Sequence, residues 1–474
     1  MSKIPYKKTK IVATIGPASE SEEVMTKLVL AGMNIARQNF SHGDYEEHTR
    51  RIMIARKISE KLKVPLAVLQ DLSGPKIRIG DFKEGQVTLV PGKTFTLSVE
   101  PCEGTESKVF INYPNLHKEL KKGSLVFIND GKVKLEVEKI EGKNIVCKII
   151  IGGTIKSKRG VNLPGAYLKI SCLTEKDRED LKFGIKQDVD FMALSFVRKA
   201  SDVIELKEIL EKAKADIKVI AKIETPEAIE NIDDIIKESD GIMVARGDLA
   251  VEVPAEEVPI LQKMIIRKCN TAGKPVITAT QMMASMVNSS VPTRAEVNDV
   301  ANAILDGTDA VMLSEETTLG DHPEKVVSMM SKIAIHTEKY YPYEEHLRKN
   351  YLSNKDVTDA VCNAAANLAH EMNAKTIVAL TVSGYSAKKI SRYRTKQPIL
   401  VITPTKKVYN RSALKFNCYP VLTEMLDGVS NSMEKASKIS QESGFAKKGD
   451  KIIVLAGIPF TKPGNTNLVL VQTV

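Results

Sequence analysis

Eight short runs rich in Val, Ile, Ala and Met recur along the 474-residue chain, most of them closing on polar residues and leading into a helical stretch. They are Lys10–Gly16, Met33–Ser41, Pro65–Gly74, Val189–Val197, Ile217–Glu224, Gly241–Asp248, Pro275–Gln281 and Ala310–Glu316. Near-continuous apolar strands of this kind are buried on both faces, as strands of a parallel sheet are. The segments between them, Ser201–Ala215 and Val258–Ala272 among them, read as helices. Eight such units close into an α/β TIM (β/α)8 barrel more naturally than they divide into two doubly wound halves.

The spacing breaks once, by roughly a hundred residues between the third run and the fourth. Residues 75 to 163 alternate apolar and polar positions, with turns at Gly85, Pro91-Gly92, Gly123, Gly131 and Gly142. Thr94–Val99, Leu125–Ile128 and Lys132–Glu138 read as antiparallel strands. An all-β domain inserted there stands over the barrel face that carries active sites, which suits a lid. The expected division is therefore barrel 1–74 and 164–340, inserted β lid 75–163, and a C-terminal open α/β domain 341–474. In the last, helix Val357–Met372, strand Thr376–Leu380, a helix from Ser386 and strands Ile399–Ile402, Lys451–Leu455 and Leu468–Val471 are expected.

Composition excludes several classes. No apolar run approaches the ~18 residues of a membrane span, and the start, Met1-Ser-Lys-Ile-Pro, has no apolar signal core, so a cytoplasmic protein with no membrane partner is expected. The six cysteines are scattered without a CxxC, which argues against a zinc knuckle or a dithiol site. The net charge is +10, but the lysines are spread out, Trp is absent and aromatics total 5%. That favours a small anionic substrate over nucleic acid.

Barrel chemistry comes from the carboxyl ends of strands. Here those ends offer Arg37, Asn39, Ser41 and His42; Asp71; Lys222 and Glu224; Arg246, Gly247 and Asp248; Thr278, Thr280 and Gln281; and Ser314, Glu315 and Glu316. Lys222 and Glu224, two apart, share one side of a strand. They form either a structural ion pair or a cation aimed at substrate beside a metal carboxylate. Glu224 and Asp248 end neighbouring strands and suit Mg2+. Asp248 is alternatively a loop cap. No P-loop exists, since Val87 stands where Gly92-Lys93-Thr94 would need a glycine, and no GxGxxG follows a strand. Phosphates would meet Arg37, Arg78, Lys222 and the metal instead.

Over essentially its full length the chain resembles the pyruvate kinase family. The motifs are KIVATIGPAS (Lys10–Ser19), GMNIARQNFSHG (Gly32–Gly43), QDLSGPKIR (Gln70–Arg78), GVNLPG (Gly160–Gly165), IAKIE (Ile220–Glu224), VARGDLAV (Val244–Val251), ATQMMASM (Ala279–Met286) and PTRAEVNDVANAILDG (Pro292–Gly307). The resemblance implies phosphoryl transfer from phosphoenolpyruvate to ADP, giving pyruvate and ATP. It implies Arg37 and Lys222 on the phosphoryl group and Glu224 and Asp248 on Mg2+ (or Mn2+). Gly247, Asp248 and Thr280 would bind the substrate carboxylate, and Thr280 and Ser314 would serve a water relay to the enolate. Thr14, Pro17, His42, Arg78 and Arg159 would contact nucleotide, with Arg159 where many relatives have Lys. Asn39, Ser41, Asp71 and the Leu72 carbonyl match a K+ cage. A homotetramer is implied, with a phosphorylated effector at Thr381, Ser383, Gly384 and Ser386.

Three departures from the family pattern are Leu72 for Thr, Glu315 for Gly and Lys76 for Glu. The last adds two charge units. At an effective dielectric near 20 a charge about 4 Å away is worth about 4 kcal/mol, so the ammonium can stand in for a bound ion. Activity without K+ is expected.

Overall fold

The computed structural model describes residues 4–129, 131–166, 168–350, 356–425, 428–458 and 464–474. Each apolar run supplies one barrel strand: Lys10–Thr14, Ile35–Asn39, Ala67–Asp71, Phe191–Leu194, Lys218–Ile223, Gly241–Ala245, Val276–Ala279 and Ala310–Leu313. They pair in parallel around a closed ring in chain order, the first meeting the eighth at Lys10 and Ala310. Their residues are almost all buried, because side chains on one face fill the barrel and those on the other meet the helices. Val12, Ile35, Leu69, Ile220, Met243 and Ile277 belong to the inner cluster.

Several strands stop short of the runs that contain them. The sixth ends at Ala245, and Arg246–Glu252 forms a helix where Gly247-Asp248 reads as a turn in the sequence. Glu315 and Glu316 likewise open a short helix, Glu315–Thr318. At the end of the seventh, Thr280 and Gln281 sit at φ of 71° and 52°. Such left-handed backbone at side-chain-bearing residues costs energy and gathers at functional sites.

The insert after the third strand forms a six-stranded sheet beside a two-stranded one, around its own core of Phe95, Leu97, Val126, Leu135 and Ile145. It includes the hairpin Val133–Glu141 with Asn144–Ile151, and Gln86–Leu89 paired with Gly153–Lys156. The C-terminal part holds a five-stranded sheet whose last strand, Leu468–Thr473, runs antiparallel. Its helix Tyr385–Ser391 begins one residue before Ser386, and an edge strand Cys418–Leu422 and a helix Val429–Glu442 add to the elements expected. Arg394 docks this part on the barrel: its guanidinium donates to both Asp309 carboxylate oxygens at 2.9 and 2.8 Å. Among the described residues no helix is long and apolar enough to cross a membrane.

Candidate active site

Three strands converge on one carboxylate at the barrel mouth. Asn39 and Asp71 are register partners on strands two and three, so Arg37, two residues before Asn39, reaches Asp71 along the same face. Arg37 Nε donates to Asp71 Oδ2 at 2.7 Å, and Arg37 Nη1 donates to Thr14 Oγ1 at 2.8 Å. Lys222 arrives from strand five, with Nζ 3.3 Å from Asp71 Oδ1 and 2.9 Å from Glu224 Oε1. It donates to Ser195 Oγ at 2.7 Å. Burial works against the Lys222 charge, but Asp71 and Glu224 outweigh it and lift the ammonium above its ordinary pKa. Burial also opposes the Asp71 charge, and Lys222 with Arg37 reverses that, holding its carboxyl below the usual range. Lys222 is thereby fixed in its charged form close to the Arg37 guanidinium, both on Asp71.

Glu224 is fully buried and accepts from the Phe196 amide at 2.6 Å. Burial pushes its pKa up; Lys222 pulls it down, and the nearby Asp248 charge pushes it up again. Glu224 Oε1 and Asp71 Oδ1 are buried oxygens that meet only the Lys222 ammonium among the described residues. Glu224, a buried carboxylate with a second carboxylate nearby, fits a divalent cation. Among the described residues no set of three or more His, Cys, Asp and Glu is arranged for a metal. The remaining ligands of such an ion would be oxygens of water and substrate.

Thr280 Oγ1 accepts from the Gly247 amide at 2.8 Å and donates to the Ala279 carbonyl at 2.5 Å. The Gly247 N–H expected to face substrate is thus engaged by the Thr280 hydroxyl. Arg246 braces the pair: its Nη2 donates to the Thr280 carbonyl at 2.7 Å, and its Nη1 meets Asp299 at 2.7 Å. The Ser314 amide donates to Glu316 Oε2 at 2.6 Å, and the Met283 amide to Glu316 Oε1 at 3.1 Å, tying the ends of strands seven and eight together.

The other expected positions divide into groups. Thr14 is buried and spent on Arg37 and on the Leu313 carbonyl (2.8 Å), whereas Pro17 and His42 are exposed at the mouth. Arg78 and Arg159 lie together at the root of the β insert, where Arg78 bridges to Gly160 and the Ile79 amide donates to the Arg159 carbonyl at 3.0 Å. Of the cage oxygens, Asn39 Oδ1 accepts from the Ser41 amide at 3.2 Å and the Leu72 carbonyl from Ser195 Oγ at 2.7 Å. The donor set of Asn39, Ser41, Asp71 and Leu72 is all oxygen, the kind a hard monovalent cation takes, and one of its members, Asp71 Oδ1, already faces the Lys222 ammonium at 3.3 Å. Lys76 is exposed and makes no hydrogen bond or ion pair with these four through its side chain. It lines a crevice between insert and barrel together with Asp248 and Glu252. In the C-terminal part, Thr381 Oγ1 accepts from the Gly384 amide at 3.0 Å, Ser383 is exposed, and Ser386 Oγ is bonded to Thr466 Oγ1 at 2.6 Å.

The sequence reading passed over Ser195 and Phe196. They follow strand four directly, and Ser195 relays the Lys222 ammonium to the Leu72 carbonyl. The signal for them in the sequence is the Ser-Phe pair near the close of the fourth run.

An eight-stranded barrel that collects cations and carboxylates at its strand ends defines an enzyme acting on a small anion. Comparison with known proteins gives the family. Residues 6–327 match the family model described as pyruvate kinase, barrel domain, and residues 359–472 the one described as pyruvate kinase, alpha/beta domain. A pyruvate kinase of Clostridium acetobutylicum is 42% identical over 470 residues, covering 98% of this chain and 99% of the relative. Pyruvate kinases of Staphylococcus epidermidis and Staphylococcus aureus are 45% identical over 471 residues, covering 99% of this chain and 80% of theirs. The chain belongs to the pyruvate kinase family and is a phosphotransferase.

Proposed function

We propose that the chain transfers the phosphoryl group of phosphoenolpyruvate to ADP and then protonates the resulting enolate. The observation that carries this is the Asp71 carboxylate holding Arg37 on one oxygen and Lys222 near the other. Both cations are held in place before substrate arrives. Phosphoryl transfer needs positioning and charge stabilisation more than covalent chemistry, so pre-set cations lower its barrier directly. Arg37 and Lys222 grip the phosphoryl group as charge spreads over its oxygens. Glu224 and Asp248 would hold Mg2+ or Mn2+, whose contribution when bound is to neutralise charge on phosphoryl and enolate oxygens. Thr280 and the Gly247–Asp248 amides receive the substrate carboxylate, which displaces the Gly247–Thr280 hydrogen bond. Thr280 and Ser314 line the route by which water delivers the proton.

Thr14, Pro17 and His42 on the barrel, with Arg78 and Arg159 on the insert, contact the nucleotide as the insert closes over the mouth. Lys76 replaces the charge of K+, so the enzyme works without it. The Thr381–Ser386 loop takes a phosphorylated effector. Exposed Ile260, Val291 and Leu319 support self-association, which we take to be a homotetramer in the cytoplasm. Lys222→Met tests the core of this reading: phosphoryl transfer is lost while detritiation of pyruvate stays measurable. Normal transfer in that variant would make Lys222 a structural residue.

A further inference from the structure

Arg246 follows strand six directly and opens the helix Arg246–Glu252. Ala245 and Ala279 are register partners, so Arg246 lies beside Thr280 at the end of strand seven. An arginine carries five N–H donors in a fixed planar fork. Here Nε donates to the Ala279 carbonyl at 3.2 Å, and Nη2 donates to the Thr280 carbonyl at 2.7 Å and to Met282 Sδ at 2.8 Å. Nη1 donates to Asp299 Oδ1 at 2.7 Å and to Gln262 Oε1 at 3.2 Å. Gln262 is held in turn, its Nε2 donating to Asp306 at 3.2 Å. Every donor of the guanidinium therefore ends on a protein acceptor, and Asp299 offsets its charge. Arg246 stands among the cations of the barrel mouth, yet it has no N–H left for a substrate oxygen.

The backbone that the fork grips is one that residues with side chains avoid. Thr280 and Gln281 have φ of 71° and 52°. In a β-branched residue such as Thr280 a positive φ is an outlier, and it persists only where the surroundings over-determine it. The Ala279 and Thr280 carbonyls belong to the peptide units before and after the Thr280 α-carbon. A rigid fork that holds both fixes the φ and ψ of Thr280 together. The Thr280 hydroxyl then stands where it accepts from the Gly247 amide at 2.8 Å and donates to the Ala279 carbonyl at 2.5 Å. That carbonyl takes the Thr280 O–H and the Arg246 Nε–H at once, so the guanidinium also sets the direction of the hydroxyl. A lysine has a point charge on a flexible stem and no fork, so it can hold one carbonyl without fixing the angle between two.

We propose that Arg246 is a positioning residue for the reaction: it locks Thr280 in the left-handed conformation and so places the hydroxyl that meets the substrate carboxylate and the water relay. This rests on Thr280 having the role proposed for it above. Arg246 acts through Thr280, because its own donors are spent.

The test is a double-variant cycle on the full chain, read by kcat, by the KM values for phosphoenolpyruvate and ADP, and by detritiation of pyruvate. Displacing a reacting group by about 1 Å costs on the order of a hundredfold. Thr280→Ala and Arg246→Met should therefore each slow turnover and detritiation tenfold or more. The KM for ADP should stay within twofold, because the nucleotide positions lie on other elements. In the Thr280→Ala background Arg246→Met should cost less than a further threefold. Arg246→Lys should lose nearly as much as Arg246→Met, since the charge stays and the fork does not. It keeps a cation beside Asp299 and carries the same comparison should the methionine variant not fold. A further loss of threefold or more in the Thr280→Ala background, wild-type rates in Arg246→Lys, or an ADP KM raised tenfold along with the lost turnover would overturn the proposal. Wild-type turnover and detritiation in Thr280→Ala would remove Thr280 from the reaction and the role of Arg246 with it, whereas losses that multiply strike the role of Arg246 alone.

Discussion

Removing Arg394 tests what fastens the C-terminal domain to the barrel. Arg394 and Asp309 are 1% and 4% exposed, so the pair lies almost wholly out of water. Asp309 also accepts from the Val276 and Phe416 amides, each at 3.0 Å, and Arg394 Nη2 donates to the Gly307 carbonyl at 2.8 Å and to Asn270 Oδ1. In Arg394→Met two amides still hold the carboxylate, but its ion-pair partner is gone. Breaking a buried pair from one side costs about 3–5 kcal/mol, and the Gly307 and Asn270 acceptors lose their donor besides. Arg394→Met/Asp309→Asn keeps an acceptor for one of the two amides and removes the stranded charge, so it should recover part of the loss. Urea unfolding followed by near-ultraviolet circular dichroism, with calorimetry alongside, measures Arg394→Met, Asp309→Asn and the double variant. A loss below about 1 kcal/mol in Arg394→Met would refute the reasoning. So would a double variant as unstable as the two single changes added together.

Asp248→Asn should lower kcat at saturating Mg2+ by about a hundredfold or more, because a charge that acts in the transition state is lost; wild-type turnover would remove Asp248 from the metal site. The unmodified enzyme should run in K+-free, tetraalkylammonium-balanced buffer, and Lys76→Glu should need K+; a tenfold or greater rise in the unmodified enzyme on adding K+ defeats the charge-replacement argument. Glu252, which accepts from Asn162 of the insert at 2.9 Å, is pushed by burial from 4.5 up to about 7. A raised carboxyl binds protons more tightly in the folded state, so its burial penalty is absent below about pH 4.5, grows as pH rises and is complete above about 7. Glu252→Gln keeps the acceptor and should therefore be more stable than the unmodified enzyme at pH 8, by at most about 3 kcal/mol, with the gain gone at pH 4.5. Parallel Tm profiles against pH would show the carboxyl to be unperturbed.

The barrel was legible because parallel strands buried on both faces leave continuous apolar runs, and each run kept its place in the ring. Run ends were less legible: Gly247 and Asp248 disfavour a strand and start a helix instead. Cys418–Leu422 escaped notice because Pro420 argues against a strand, and it is tolerated here because the strand lies at the sheet edge. At the mouth, period two was enough to put Lys222 beside Glu224. It could not put Lys222 near Asp71, since strand four lies between their strands and the contact crosses the barrel interior. Ser195 was hidden for the same reason, because its role depends on strand four being flanked by three and five. Strand five shows the limit most sharply. Lys218 and Lys222 begin and nearly end one six-residue strand with the same side-chain parity, so periodicity assigns them a single environment. Their places in the ring separate them: one faces Asp71 at the mouth, the other Asp216 at the foot of the barrel. Which end of a barrel strand a charge occupies therefore determines the anion it meets, and that is set by strand direction and length rather than by residue type.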